Sequence, residues 1–586
     1  LAAQRGRAVL VVVVVATAAG VVGGAVEQQA VAAGPRAAVI VTMSGGDPAG
    51  VARIVARAGG RVGRQLPLVH GFTAVLPVAA VPAVAALTGV RSVTADAGGR
   101  LLSVDPALGY DQGTDEGSLS WLGKMLGVPA VWSDGVTGKG VDVALVDSGV
   151  ARVPGLVSGN VVDGPDLSFE SQHADVRYLD TFGHGTHMAS IIAGRDTAGT
   201  PASYAASGQF DGIAPDARII SVKVAAADGA ADVSQVIAAI DWVAQHAHTD
   251  GLNIRVLNLS YGTDSTQSSV LDPLSYAVEQ AWRRGIVVVV AAGNDGTTRA
   301  ALADPASNPY VLAVGADEPN NTLGVKDDTV PAFAQRGTTA RHVDVIAPGV
   351  HVLGLRVPNS YVDQNNPAGR VGTRFIRGSG TSQATAVVSG VAALVLQKYP
   401  TATPDQVKYL VMTSATKFSA GNTGDQTGQH EDLWQGLGII DAAKAVGGKP
   451  SAAPVQSFPV ATGSGLLEGS RGSSHVVQAA VTLAGEKDIF GRAWTAATWS
   501  AAVAANTAWS GGSFNGCLWS GTTWATSTRW AAATWTGTDW TGTAWSTPSW
   551  VSRTWVNSSW DSRTWVASTW DSRTWVGATW AGAAWR

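Results

Sequence analysis

Four short stretches of this chain carry residue types that can do acyl-transfer chemistry. GSGTSQATAVVSG at 378–390 sets Ser382 ahead of a small-residue run that reads as a helix. TFGHGTHMASIIAG at 181–194 offers His184, with space left by Gly183 and Gly185. VALVDSGV at 143–150 carries Asp147 at the end of an apolar strand, and VVVVAAGNDG at 287–296 carries Asn294 just past another. A serine hydroxyl is a poor nucleophile until an imidazole takes its proton, and that imidazole needs a carboxylate to fix its tautomer and stabilise its charged form. An amide donor such as Asn294 suits a developing oxyanion. Each piece alone has a bland reading. Gly/Ser/Thr clusters usually mark loops, Asp at a strand end is usually a turn or cap residue, and a lone His near glycines is usually structural, the reading given to neighbouring His187. All four in one order are very unlikely to be coincidence, and they point to hydrolysis through a covalent serine intermediate.

Such side chains need rigid carriers. VDVALVD, ARIISVKV, RVLNLS and GIVVVVAAG read as buried strands, separated by helical stretches such as DVSQVIAAIDWVAQHA and PLSYAVEQAWRRG. Near-continuous Val/Ile/Leu strands alternating with helices predict an α/β fold, a parallel sheet with helices on both faces. Ligands of such sheets bind beyond the carboxyl ends of the strands, where Asp147, Ser260 and Asn294 fall. A helical run over 382–398, then TPDQVKYLVMTSA and GLGIIDAAKAV, close this domain.

The rest of the chain reads differently. Charged residues are 14% and the formal net charge is -4, which gives no electrostatic reason to expect nucleic acid. The single cysteine, Cys517, excludes an intrachain disulfide and a cysteine-rich metal site. Arg5 and Arg7 precede an uncharged apolar run from Ala8 to Val26, with small residues around Ala30, Ala32 and Ala33. Residues 1–33 therefore read as a secretory signal peptide, with an uncleaved membrane anchor as the alternative. The protein is expected to work outside the cytoplasm, secreted or held at the cell surface. Residues 37–104 read as β-α-β-β-α-β, a small split βαβ sheet.

Taken together, DSG, HGTH, AAGN and GTSQA, with GIAPDARIISVKV, NLSYG, FAQRG and VDVIAPG, resemble the subtilisin-like serine proteases over about residues 118–446. The resemblance implies a serine endopeptidase with Asp147, His184 and Ser382 as acid, base and nucleophile. It implies that Asn294 and the Ser382 backbone N–H hold the oxyanion. It assigns Ser260, Tyr261 and Gly262 to a backbone edge that pairs with protein or peptide substrates, and Ala292 and Gly293 to the other wall of the pocket before the scissile bond. Gln383 and Ala386 stand where the family commonly has Met and Pro, and altered packing is expected there without loss of chemistry. Residues 34–110 resemble the family's inhibitory propeptide, an intramolecular inhibitor cut somewhere around 104–118. The peptidase domain is then 111–446. No cofactor is certain, and structural calcium stays open.

Residues 447–490 read as a linker by composition. Residues 491–586 read as a Trp-rich repeat tail. Seventeen of the 22 tryptophans lie from Trp494 onward, and from Trp530 to Trp585 they recur every fifth residue, doubling to ten in SRTWVASTWDSRTWV. A β-solenoid would accommodate the step, and an extended segment is the alternative. The indoles could stack on glycan or cell-wall polymer, or on one another as a stalk. On this layout removal of everything after residue 450 should leave peptide hydrolysis nearly intact. The rival reading, an inactive protease-like surface protein binding through its tail, is disfavoured by the intact triad. An α/β-hydrolase esterase is disfavoured because its order is Ser, acid, His around a G-x-S-x-G elbow.

Overall fold

Apolar strands without polar alternation are stable only where both faces of a sheet are covered, and this constraint organises most of the chain. A computed structural model of the protein describes residues 36–45, 47–95, 109–172, 176–197, 199–204, 209–299, 301–418, 431–478, 481–510 and 512–518. The segment expected as a leader, 1–33, and the repeat from Trp530 onward lie outside the described residues. The chain divides into two units, Leu1–Leu102 and Ser103–Arg586.

The first unit runs β1 (Arg36–Met43), α1 (Pro48–Arg57), β2 (Arg61–Leu66), β3 (Gly71–Pro77), α2 (Val81–Ala85) and β4 (Val90–Ala95). Its antiparallel sheet has the order β2-β3-β1-β4. Val39, Val41, Val51, Val55, Phe72 and Leu76 make the core between sheet and helices. The Asp47 side chain accepts from Ala49 N and opens α1. The second helix is shorter than its sequence suggests because Pro82 sits in its first turn and lacks the N–H to continue the preceding 3-10 turn, Val78–Ala80.

The second unit opens with α3 (Leu119–Met125) and α4 (Val128–Ser133). It continues β5 (Asp142–Asp147), β6 (Val161–Asp166), α5 (His184–Ala193), α6 (Pro201–Tyr204), β7 (Arg218–Lys223), α7 (Val233–His246), β8 (Ile254–Leu259), α8 (Pro273–Arg283), β9 (Val287–Ala291), β10 (Leu312–Asp317) and β11 (Val345–Pro348). These strands form one seven-stranded sheet of order β11-β10-β9-β8-β5-β7-β6, parallel at every pairing. β6, β10 and β11 are not among the strands named from the sequence; β6 carries Gly164-Pro165 and reads as a turn. Then come β12 (Val352–Leu355), α9 (Tyr361–Asn365), β13 (Arg370–Val371) and β14 (Phe375–Gly378), the three strands making a small antiparallel sheet. Helix α10 (Thr381–Lys398) packs on β8, β9, β10 and α5, and every residue of it from Thr381 to Leu396 is buried. α11 (Pro404–Ser414), α12 (Glu431–Gln435) and α13 (Ala442–Gly447) follow.

Beyond α13 the structure corrects the reading of 447–490 as a linker. The Gly/Pro/Ser/Ala composition hides a few anchor residues whose partners lie far away in sequence. Gln456 N donates to Asp405 at 3.0 Å, and Tyr310 Oη donates to Phe458 O at 2.7 Å. Helix α14 (Leu467–Arg471) ends on Arg471, whose Nε lies 2.7 Å from Asp232 Oδ2 with both side chains fully buried. The expected start of the tail is also folded against the peptidase. Trp499, on α15 (Ala496–Ala504), donates to Asp241 Oδ2 at 2.7 Å, and Trp509 Nε1 donates to Ala238 O at 2.8 Å. Trp494, Trp499 and Trp509 belong to the same buried cluster as α7 and α8.

Three outcomes follow for this extension. Removing everything after residue 450 strips α7 and α8 of this cover, so the shortened protein should melt below the full chain, measured by calorimetry. Arg471→Met leaves Asp232 buried without its cation and should cost about 3–5 kcal/mol in urea unfolding. Asp241 is pushed up to about 7 by burial, from an ordinary 3.8. The folded state therefore binds a proton that the unfolded state lacks between those values, so this group lowers stability as pH rises from about 4 to about 7. Asp241→Asn should flatten the unfolding free energy over that window and raise it at pH 8.

Candidate active site

Asp147 closes β5, the strand between β7 and β8, where flanking strands hold the backbone rigidly. Its carboxylate is fully buried and accepts Ser148 N–H at 2.7 Å. Both carboxylate oxygens lie 2.9 Å from His184 Nδ1. His184 is the first residue of α5, behind Gly183, whose φ of 104° lies in the left-handed region that favours glycine.

A second carboxylate staples acid and base together. Asp180 accepts Gly183 N–H at 2.6 Å, Thr186 N–H at 2.7 Å and the Ser148 hydroxyl at 2.8 Å. Ser148 Oγ in turn accepts Gly185 N–H at 2.9 Å. Asp180 thus caps the start of α5 where the helix dipole favours a negative charge, and burial alone pushes its carboxyl above the usual range. Lys223 supplies a buried cation behind this loop, 2.7 Å from Ser148 O and 3.0 Å from Glu170.

Ser382 is the second residue of α10, fully buried at the helix N-terminus. Asn294 reaches its neighbour. Asn294 Oδ1 accepts the Thr381 N–H at 2.9 Å and the Thr381 hydroxyl at 3.0 Å, while Gly293 N–H points at Thr381 Oγ1 from 3.2 Å. With its carbonyl end held by Thr381, the Asn294 amide is fixed in orientation. Ser260 Oγ donates to Ser382 O at 3.4 Å. The structure thus brings Asp147 into contact with His184, and Asn294 and Ser260 into contact with the Thr381–Ser382 corner, while α5 and α10 pack on each other.

The segments expected to form the two walls follow the ends of β8 and β9. Tyr261 is buried, and Gly262 is packed so closely that a Cβ there would sit 2.7 Å from that of Ala303. On the other wall Ala292 O accepts Ala303 N–H at 3.0 Å and Gly293 O accepts Gln335 N–H at 3.0 Å. Gly293 has a φ of 109°, and a Cβ would lie 1.8 Å from Gln335 Oε1. Thr381, Asp180 and Gln335 were not singled out by sequence reasoning. Thr381 adjoins Ser382 and Asp180 lies four residues before His184, so both had a local signal; Gln335 lies within FAQRG, a family-like motif to which no role was given. His187 is fully buried, and burial next to His184 holds its pKa down at about 3, so it packs as a neutral ring. Gln383 and Ala386 are buried on α10. Among the described residues no group of three or more His, Cys, Asp or Glu side chains could hold a metal ion.

This geometry can be set beside known proteins. Residues 138–438 match the model of the subtilase family. The chain belongs to that family. The serine protease AprX of Bacillus subtilis (strain 168) is 37% identical over 320 residues, covering 54% of this chain and 68% of that protein. Subtilisin BL of Lederbergia lenta is 32% identical over 305 residues, covering 52% of this chain and 94% of its own. Among solved structures, fervidolysin from Fervidobacterium pennivorans, a keratinolytic enzyme related to subtilisin, has a TM-score of 0.44 at 24% identity, covering 73% of this chain and 63% of that chain. As a subtilase the chain is a serine-type endopeptidase acting on proteins or peptides.

The close approach of its helix start to the β5 loop generates a prediction. A Cβ on Gly185 would lie 2.2 Å from Gly149 O and 3.1 Å from Asp147 Oδ1. Gly185→Ala should therefore destabilise by about 1–3 kcal/mol, as overpacking does, and lower kcat by displacing His184, measured by thermal melting and peptide hydrolysis.

Proposed function

We propose that this subtilase is a secreted endopeptidase in which Asp147, His184 and Ser382 form the catalytic triad. The observation that carries the reading is the buried contact of His184 Nδ1 with both Asp147 oxygens at 2.9 Å. It leaves Nε2 as the ring atom able to act as base, because the carboxylate holds the proton on Nδ1. Ser382 Oγ attacks the scissile carbonyl while His184 Nε2 takes its proton. The same proton then goes to the leaving amine, and water hydrolyses the acyl-enzyme by the reverse sequence. Asp147 stabilises the imidazolium and is not itself protonated. The Asn294 NH2 group and the Ser382 N–H hold the oxyanion, helped by the positive end of α10.

Substrate enters as an extended strand along Ser260–Tyr261–Gly262, with the residue before the scissile bond between that edge and Ala292–Gly293. Residues 1–33 serve as the export signal, and 34–110 as a propeptide that blocks the cleft until it is cut. The β-α-β-β-α-β order of the first unit supports that assignment. The repeat beyond the folded extension offers indoles to glycan or cell-wall polymer.

Ser382→Ala or His184→Ala should lower kcat roughly a million-fold, the loss measured for the matching changes in a subtilisin. Asn294→Ala should cost about a hundred- to a thousand-fold, since one oxyanion donor is lost. A fluorophosphonate should label Ser382, read by mass spectrometry; unchanged hydrolysis in purified Ser382→Ala protein would sink the assignment. Expressed without other proteases, Ser382→Ala protein should remain an uncut precursor, while the native chain shows a new N-terminus between about residues 104 and 118. The same N-terminus in both would mean that processing is not self-catalysed.

A further inference from the structure

The three residues read as the substrate-pairing edge, Ser260–Tyr261–Gly262, follow β8 and belong to no strand themselves. A backbone edge kept open for a substrate has no neighbouring strand on that side to hold it, so its position depends on its two ends. At one end β8 is held in the sheet between β5 and β9. At the other end stands Thr263, and it is fastened from three directions. Thr263 N–H donates to Asp304 O at 2.8 Å, and Thr263 O accepts Asp304 N–H at 2.9 Å. Arg299 Nη1 donates to Thr263 O at 3.3 Å. The Thr263 hydroxyl donates to Ser470 O at 2.5 Å, across 207 residues of sequence.

Ser470 lies on α14, in the extension beyond the enzyme motifs, and is fully buried. Its own hydroxyl donates to Asp272 Oδ1 at 2.8 Å. Asp272 is the N-cap of α8 and also accepts the Ser265 hydroxyl at 2.9 Å. It shares a hydrogen bond with Asp304, whose carboxyl is held well above the usual range by burial and by the Asp272 charge. The contacts therefore close a ring, from Thr263 to Ser470, Asp272, Asp304 and back to Thr263. Buried networks with every member engaged are rigid. Just past α14 the chain stays against the same segment. Ser473 N–H donates to Asp264 Oδ1 at 2.6 Å, and a Cβ on Gly472 would lie 2.1 Å from that oxygen.

We propose that Ser470 and Thr263 are positioning residues for substrate: the extension anchors the far end of the edge and so sets the affinity for peptides long enough to pair with it. The inference rests on the reading of Ser260–Gly262 as the substrate edge. Hydrogen bonds weaken steeply away from their preferred distance and angle, so an edge that loses its anchor pairs less well with an extended peptide. Asp147 and His184 are held by a separate set of bonds, through Ser148 and Asp180. Loss of the anchor therefore weakens substrate and transition state alike, which raises KM and leaves kcat unchanged. The expectation that hydrolysis survives removal of everything after residue 450 then holds only for substrates too short to pair along the edge.

The test compares the native chain with Thr263→Val, Thr263→Ser and Ser470→Ala, each titrated with a fluorophosphonate so that rates refer to folded enzyme. The substrates are an N-acylated tetrapeptide p-nitroanilide and the N-acetyl ethyl ester of its last residue. In Thr263→Val and Ser470→Ala the tetrapeptide KM should rise about three- to tenfold, the loss of one networked hydrogen bond, with kcat within about twofold. The ester should be unaffected, and Thr263→Ser should match the native chain. An unchanged tetrapeptide KM overturns the proposal. So does an equal change for the ester, or a fall in kcat, since either would make the ring merely structural. Tetrapeptides N-methylated at one backbone amide at a time separate this result from failure of the edge reading. If no methylation raises KM on the native chain, the substrate does not pair along the edge and both readings fall. If methylation raises it while the variants match the native chain, the anchor alone is refuted. Should Thr263→Val not fold, the same comparison on Ser470→Ala decides.

Discussion

A carboxylate buried at the end of a central parallel strand is the constraint around which the site of this subtilase is built. An unpaired charge in that position would be costly, so Asp147 must be met by donors, and it is met by Ser148 N–H and by His184 Nδ1. Each of those partners needs its own support. Ser148 is held by Asp180 and by Gly185 N–H, and Asp180 is satisfied by two amides at the start of α5. Lys223 places a compensating cation behind the acids. The result is that the loop after β5 and the start of α5 are tied together.

The opposite half of the site depends on a different lock. Thr381 grips the carbonyl end of Asn294 with both its backbone N–H and its hydroxyl. This couples the loop after β9 to the first turn of α10, a helix buried along nearly its whole length. Preorganised donors stabilise a developing charge without reorganising during the reaction, and a helix start wedged into a core has little freedom to drift. The glycines at 183, 185, 262 and 293 serve the same rigidity, because the backbone at each lies against a neighbour where a side chain has no room.

The extension after α13 shows how far the unit reaches past its enzyme motifs. Its stability rests on polar anchors inserted among apolar contacts: Arg471 on Asp232, and the Trp499 and Trp509 indoles on α7. Asp232 is also the N-cap of α7. The ion pair therefore joins the extension to the very residue that starts the helix it covers.

Much of this was legible without coordinates. The parallel sheet could be read because β5, β7, β8 and β9 are runs of Val, Ile and Leu, a pattern with few other stable solutions. Asp147, His184, Asn294 and Ser382 stand out because the chemistry demands those types, and because Gly183 and Gly185 leave space at His184. Local signals of that kind survive in a sequence. What the sequence could not supply was any pairing whose partners lie far apart. Arg471 beside Asp232 and Trp499 beside Asp241 are ordinary residues in unremarkable contexts until folding brings them together, and FAQRG gives no hint that its Gln335 meets Gly293. The linker-like composition of 447–490 misled for this reason: its energy comes from a few buried anchors, and burial is decided only in three dimensions.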